Sequence, residues 1–155
     1  MHDNAKKLTA FYEAFARKDA GPMRAIYAPD ARFSDGAFPD LRGKDIGDMW
    51  TMLCEIARDF SVEFRDVQAD DTRGRAHWEA RYLFQGKRRV HNVIEAAFVF
   101  RDGQVVQHTD TFDFYRWSKQ ALGPVGLLLG WSDFLQKQVQ AQSAKLLRSW
   151  QRKRG

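Results

Sequence analysis

His108, Asp110 and Phe112 alternate along VVQHTDTFDF, so in an extended chain all three project to one face. A histidine and a carboxylate two residues apart, among aromatic side chains, are the makings of a proton-handling site. Burial raises a carboxylate's pKa and lowers an imidazole's, which brings such groups toward neutral pH. The pair can shuttle a proton on a carbon acid or activate a water. Equally, Asp110 can serve only to orient His108 in a hydrogen-bonded structural pair. Asp35, closing ARFSD, is a third titratable candidate, although an Asp before Gly36 is also a common turn residue. Asn92 can offer its amide to the same space or satisfy backbone at a strand start. Trp50, Trp78, Tyr82, Phe98 and Phe112 either line a cavity or pack as solid core.

Other chemistries are poorly served. One cysteine, Cys54, leaves no internal disulfide and suits a reducing cytoplasm. His108 and Asp110 lack a third residue at metal-ligand spacing, so no metal is expected. Gly123, Gly126 and Gly130 carry no Lys-Ser/Thr and follow no βαβ pattern, so no phosphate loop is expected. The formal charge is +5, but Lys145, Arg148, Arg152, Lys153 and Arg154 crowd the last eleven residues, leaving 20 bases against 20 acids elsewhere. A body without net charge is no nucleic-acid surface; a basic helix end complementing its own dipole explains the tail. No apolar run is long enough to span a membrane.

The elements that position these residues can be read in order. Leu8, Phe11, Tyr12 and Phe15 recur at helical spacing over Asn4 to about Lys18. A short helix with Met23, Ile26 and Tyr27 inward follows, stopped at Ala28-Pro29; a short extended piece spans Ala31 to Asp35. A third helix runs from Lys44 to about Asp59, with Ile46, Met49, Trp50 and Leu53 buried. Four strands then follow one another: Ser61–Ala69, Arg75–Gln85, and a hairpin from Val90 that turns at Asp102-Gly103 and returns to Phe114. Trp78, Ala80 and Tyr82 share one face; His77, Glu79 and Arg81 share the other, as do His91 and Glu95. The spacing predicts an antiparallel meander within an α+β domain. A last helix is expected from Ser132 to about Arg152, with Leu135, Val139, Leu146 and Trp150 inward.

FYEAFARKDAGPMRAIYAPDARFSD resembles the opening of the SnoaL-like, ketosteroid isomerase-like domains of the nuclear transport factor 2 superfamily, and FVFRDGQVVQHTDTFDF their closing hairpin. The resemblance covers roughly Asn4 to Trp117. It implies a cone: a curved antiparallel sheet wrapped around N-terminal helices, enclosing a mostly apolar pocket and dimerising through its outer face. Asp35 matches the isomerases' proton-shuttling Asp. Their oxyanion-hole Tyr falls on Phe11, with Tyr12 adjacent; their oxyanion-hole Asp falls on Ala96 or on the outward Glu95. His108 and Asp110 match pocket-facing positions, where SnoaL-type polyketide cyclases resemble this arrangement. The resemblance implies cofactor-independent proton transfer on a small apolar molecule by Asp35, His108 and Asp110, as in an isomerase, cyclase, dehydratase or epoxide hydrolase. The alternative is a noncatalytic ligand-binding or dimerisation module.

Residues 1–117 correspond to that domain and 118–155 to a helical extension. Its apolar, glycine-punctuated start, SKQALGPVGLLLGW, can fold over the pocket mouth, pack on the domain or a dimer mate, or touch a membrane surface. Basic residues clustered at one end of the last helix favour packing on the domain or its mate.

Overall fold

A computed structural model describes residues 1–154. Helix α1 (Asp3–Ala16) buries the expected stripe of Leu8, Phe11, Tyr12 and Phe15. It ends two residues before Lys18, whose positive φ of 59° breaks the helical path. In α2 (Ala20–Ala25) the Asp19 carboxylate caps the amide of Gly21. Tyr27, expected on this helix, instead opens strand β1 (Tyr27–Ser34). Pro29 did not delay the strand because it lies where the β1 register is irregular, between Tyr27 and Arg32, and no ladder amide is needed there. A two-residue strand β2 (Leu41–Arg42) lies between β1 and the next helix, and α3 (Lys44–Ile56) stops short of Asp59 as Ala57 turns extended.

Strands β3 (Ser61–Ala69), β4 (Arg73–Phe84), β5 (Arg88–Arg101) and β6 (Gln104–Thr111) form the expected antiparallel meander. The β5–β6 turn has positive φ at both Asp102 (52°) and Gly103 (79°), the handedness a two-residue hairpin requires. The sheet order is β2-β1-β6-β5-β4-β3, with β1 parallel to β6. The sheet is therefore mixed, with six strands, where the sequence suggested an antiparallel one. Its concave face carries Ala76, Trp78, Ala80, Ile94, Ala96, Phe98 and Phe100 against α1 and α3 in one core. The α+β cone is the observed architecture.

Beyond β6 the chain departs from expectation. The strand ends at Thr111, and the Asp113 carboxylate accepts from the Arg116 amide to cap α4 (Phe114–Leu122). Helix α5 (Pro124–Leu129) follows after Gly123 at φ 61°, and α6 (Asp133–Arg154) runs back along α3. Gln151 bridges Asp45 and Asp48, and Trp150 donates to Glu55. Leu147 is buried on this seam while Leu146 is exposed. The inner ladder steps by four through Leu135, Val139, Ser143 and Leu147, which turns Leu146 outward.

Candidate functional site

His108 lies at the centre of the concave face, its side chain wholly buried. Phe98 packs on the imidazole with ring centroids 4.1 Å apart, Phe33 meets it edge-on at 4.9 Å, and Trp50 stacks at 6.2 Å. Both ring nitrogens are occupied: Nδ1 faces the Tyr27 hydroxyl at 2.8 Å and Nε2 faces Asp110 Oδ1 at 2.8 Å. The protons along this line have one consistent order. Trp50 Nε1 can only donate, and it donates to Tyr27 Oη at 2.9 Å. Tyr27 then gives its single proton to His108 Nδ1, and His108 Nε2–H points at Asp110. In the reverse order the Tyr27 proton would have no acceptor. His108 is thus hydrogen-bonded at both nitrogens, with its Nε2–H on Asp110.

Asp110 is the end of the line. Both hydrogen bonds it accepts, from His108 and more weakly from Trp78 Nε1 at 3.5 Å, fall on Oδ1, which leaves the Oδ2 lone pairs for another group. Close by stands Tyr12, fully buried between Phe64 (5.6 Å, stacked) and Trp78 (5.9 Å). Among the described residues its hydroxyl is the single buried side-chain polar atom without a partner. Burial, reinforced by the charge of Asp110, raises the Tyr12 phenol well above its ordinary pKa, so it stays a neutral donor. An orphaned buried hydroxyl costs about 1–3 kcal/mol, and such a cost in a native fold points to use.

Asp35 follows Ser34, which pairs with Thr109, so it sits level with Asp110 on the neighbouring strand. Inward Phe33 shares its parity. Asp35 Oδ1 accepts the amides of Ala37 (2.8 Å) and Phe38 (2.6 Å), the turn role expected of an Asp here. The residue keeps some surface, yet its carboxyl is enclosed by protein. Burial pushes it up to about 7, opposed by the two amides and helped by the charge of Asp110. Two neighbouring carboxyls of which one titrates near neutrality can divide the work of acid and base.

The remaining sequence candidates separate into two places. Trp50 and Phe98 pack on His108, and Trp78 reaches Asp110. Asn92, Tyr82 and Phe112 lie toward the other end. Asn92 stands four residues along β5 from Ala96, the cross-strand partner of Asp110, which is about 13 Å at strand rise. Tyr82 Oη accepts from Trp117 Nε1 at 2.9 Å in a second cluster with Val90 and Ala121. Phe112, beyond the end of β6, packs beneath Gly36. Sequence reasoning missed Tyr27, because its partner is 81 residues away and across a parallel pairing. A cavity of about 340 Å³ between Arg32, Ser34, Pro39, Asp40 and Gln107 also touches His108, but the buried imidazole does not open into it.

On the outer face, His77 and His91 point away from this centre, as their parity required. Glu79 accepts from both, at 2.8 and 2.7 Å, and these bonds hold its carboxyl down at about 2. Glu79 first, then Glu95, raises the His77 imidazole. Among the described residues no three His, Cys, Asp or Glu side chains cluster as metal ligands. No helix among them is long and apolar enough to cross a membrane.

The profile of the SnoaL-like domain matches residues 8–108, about two thirds of the chain. The chain belongs to the SnoaL-like family. The SnoaL-like match takes in α1 through β6 as far as His108. Solved structures share the fold. An NTF2-like protein of unknown function from Burkholderia pseudomallei superposes with a TM-score of 0.68 at 19% identity, over 78% of this chain and 98% of that one. An LEH-like epoxide hydrolase from M. tuberculosis gives 0.65 at 22%, over 82% and 96%. A protein of ketosteroid isomerase-like fold from Catenulispora acidiphila, in complex with trimethylamine, gives 0.65 at 12%, over 76% and 93%. No curated protein sequence matches this SnoaL-like chain significantly.

Proposed function

We propose that this SnoaL-like protein is a cofactor-independent enzyme that moves a proton on a small, largely apolar carbonyl compound. The observation that carries the reading is that two unengaged groups lie near each other among aromatic side chains: the Tyr12 hydroxyl, which feels the charge of Asp110, and Asp110 Oδ2. Asp110 Oδ2 takes a proton from the carbon next to the carbonyl. The electron pair moves toward the carbonyl oxygen, which accepts from Tyr12, and a neutral phenol in a water-poor site stabilises that developing charge strongly. Protonated Asp35, one strand away, or Asp110 itself returns a proton to carbon and completes an isomerisation or ring closure. Phe64, partly exposed and stacked on Tyr12, is the ring that substrate binding must move.

A second reading has its own observation. Phe98, Phe33 and Trp50 pack on His108, whose nitrogens are both engaged, as in a filled core of a noncatalytic module. One experiment separates the two. The protein is incubated with an enolisable benzylic ketone, 2-tetralone, in D₂O, and deuterium uptake at the α-carbons is followed by NMR. Exchange well above the buffer rate, saturable in ketone, supports the enzyme. Exchange at the buffer rate together with ketone binding supports the module and defeats the enzyme.

A further inference from the structure

No charged residue stands between Lys119 and Asp133, and after Ala121 and Leu122, which pack on the domain, the large apolar side chains stay outward. Val125, Leu127, Leu128, Leu129, Trp131 and Phe134 are between 41% and 75% exposed. Their arrangement follows from one glycine. A Cβ at Gly126 would lie 1.9 Å from the Ser118 carbonyl oxygen, so α5 rests on α4 by its glycine side. At 3.6 residues per turn, Val125, Leu127, Leu128 and Leu129 then fan around the rest of the helix. The result is a convex apolar wedge. A flat protein face covers only one side of such a shape, whereas lipid envelops it.

Two further features suit a lipid surface. The main-chain carbonyls of the wedge are already satisfied: Gly126 O accepts from the Gly130 amide, Leu127 O from Tyr115 Oη, Leu128 O from Trp131 Nε1, and Leu129 O from Ser132. A short helix end facing only water does not need this, but one entering hydrocarbon does. Cations adjoin the wedge in space or in sequence. The Arg88 guanidinium lies against Gly123 and donates to Gln120 O, and Lys87, Arg116, Lys119 and Lys137 are exposed nearby in the chain or turn. Asp133 is the one acid within that stretch of sequence.

We propose that α5 and the first turn of α6 form an interfacial anchor, which inserts its leucines and Trp131 among the acyl chains of an anionic bilayer while the basic collar meets the headgroups. The anchor is independent of the proton-transfer reading. The sequence suggested packing on the domain or a dimer mate; α4 packs on the domain, and α5 rests on α4 with its apolar side chains outward.

The test is flotation of the full chain with vesicles of phosphatidylcholine alone and of phosphatidylcholine with one third phosphatidylglycerol. The protein is expected to float with the anionic vesicles and to be released by high salt. Leu127→Glu/Leu128→Glu, at exposed positions, should bind about tenfold more weakly with an unchanged circular dichroism spectrum. Failure of the wild type to float, or equal flotation of the double variant, overturns the proposal. So does self-association in sedimentation that the double variant abolishes while the wild type ignores vesicles, which would make the wedge a contact between copies.

Discussion

Asp110→Asn is expected to slow α-proton exchange about 10³-fold, within the 10²–10⁴ that a positioned general base supplies. The fold should barely register the change. Asn Oδ1 can still accept from His108 Nε2–H and from Trp78, the two bonds that hold Asp110 now. What is lost is the basicity of the second oxygen, because an amide nitrogen cannot take the proton. Since the ketone would be held by aromatic contacts and by Tyr12, the loss should appear in kcat with KM little altered. Saturation kinetics of exchange, alongside thermal unfolding, would read both quantities. A drop in stability equal to the drop in rate would mean that Asp110 is merely structural.

Asp35→Asn should stabilise the protein above neutral pH and leave it unchanged in acid. The sign follows from linkage. The folded-state pKa, about 7, lies above the unfolded value, so between about pH 4 and 7 the folded form binds more proton than the unfolded chain. Stability is full below the unfolded pKa and falls as pH rises toward 7, after which it levels. A shift of that size has a ceiling of about 4 kcal/mol. The partial exposure of Asp35 brings the expected penalty to about 2 kcal/mol. Asn keeps an oxygen for the amides of Ala37 and Phe38, so the turn survives. Urea unfolding at pH 5 and pH 8 is the measurement: wild type should lose stability across that interval and the variant should not. Parallel slopes would place the Asp35 carboxyl in solvent.

The core of the site was legible because strand parity is a strong constraint. A period of two sends His108 and Asp110 inward with Phe98 and Trp78, and sends His77, His91 and Glu95 outward. The Asp102-Gly103 turn then locks the register that brings Phe98 opposite His108. Contacts across long separations were not legible. The parallel pairing of β1 with β6 leaves no local pattern, so Tyr27 read as the end of a helix rather than as the donor to His108. Trp50 and Trp78 read as lining, although their indole N–H groups matter more here than their faces. Tyr12 stood beside the expected position at Phe11, and only the packing shows that its hydroxyl is the unpaired one. At the end of β6, alternation through Phe112 masked the capping carboxylate of Asp113, and with it helix α4.

Tyr12→Phe bears most directly on whether Tyr12 and Asp110 converge on a substrate, since it removes one oxygen and nothing else. The variant should be more stable than wild type by about 1 kcal/mol or more, because a buried hydroxyl without a partner disappears. Its rate of α-proton exchange on 2-tetralone should fall about 10²-fold or more, because the developing oxyanion loses its donor. Gain of stability with loss of rate is the expected pair of results. A variant that exchanges the ketone as fast as wild type would contradict the site outright.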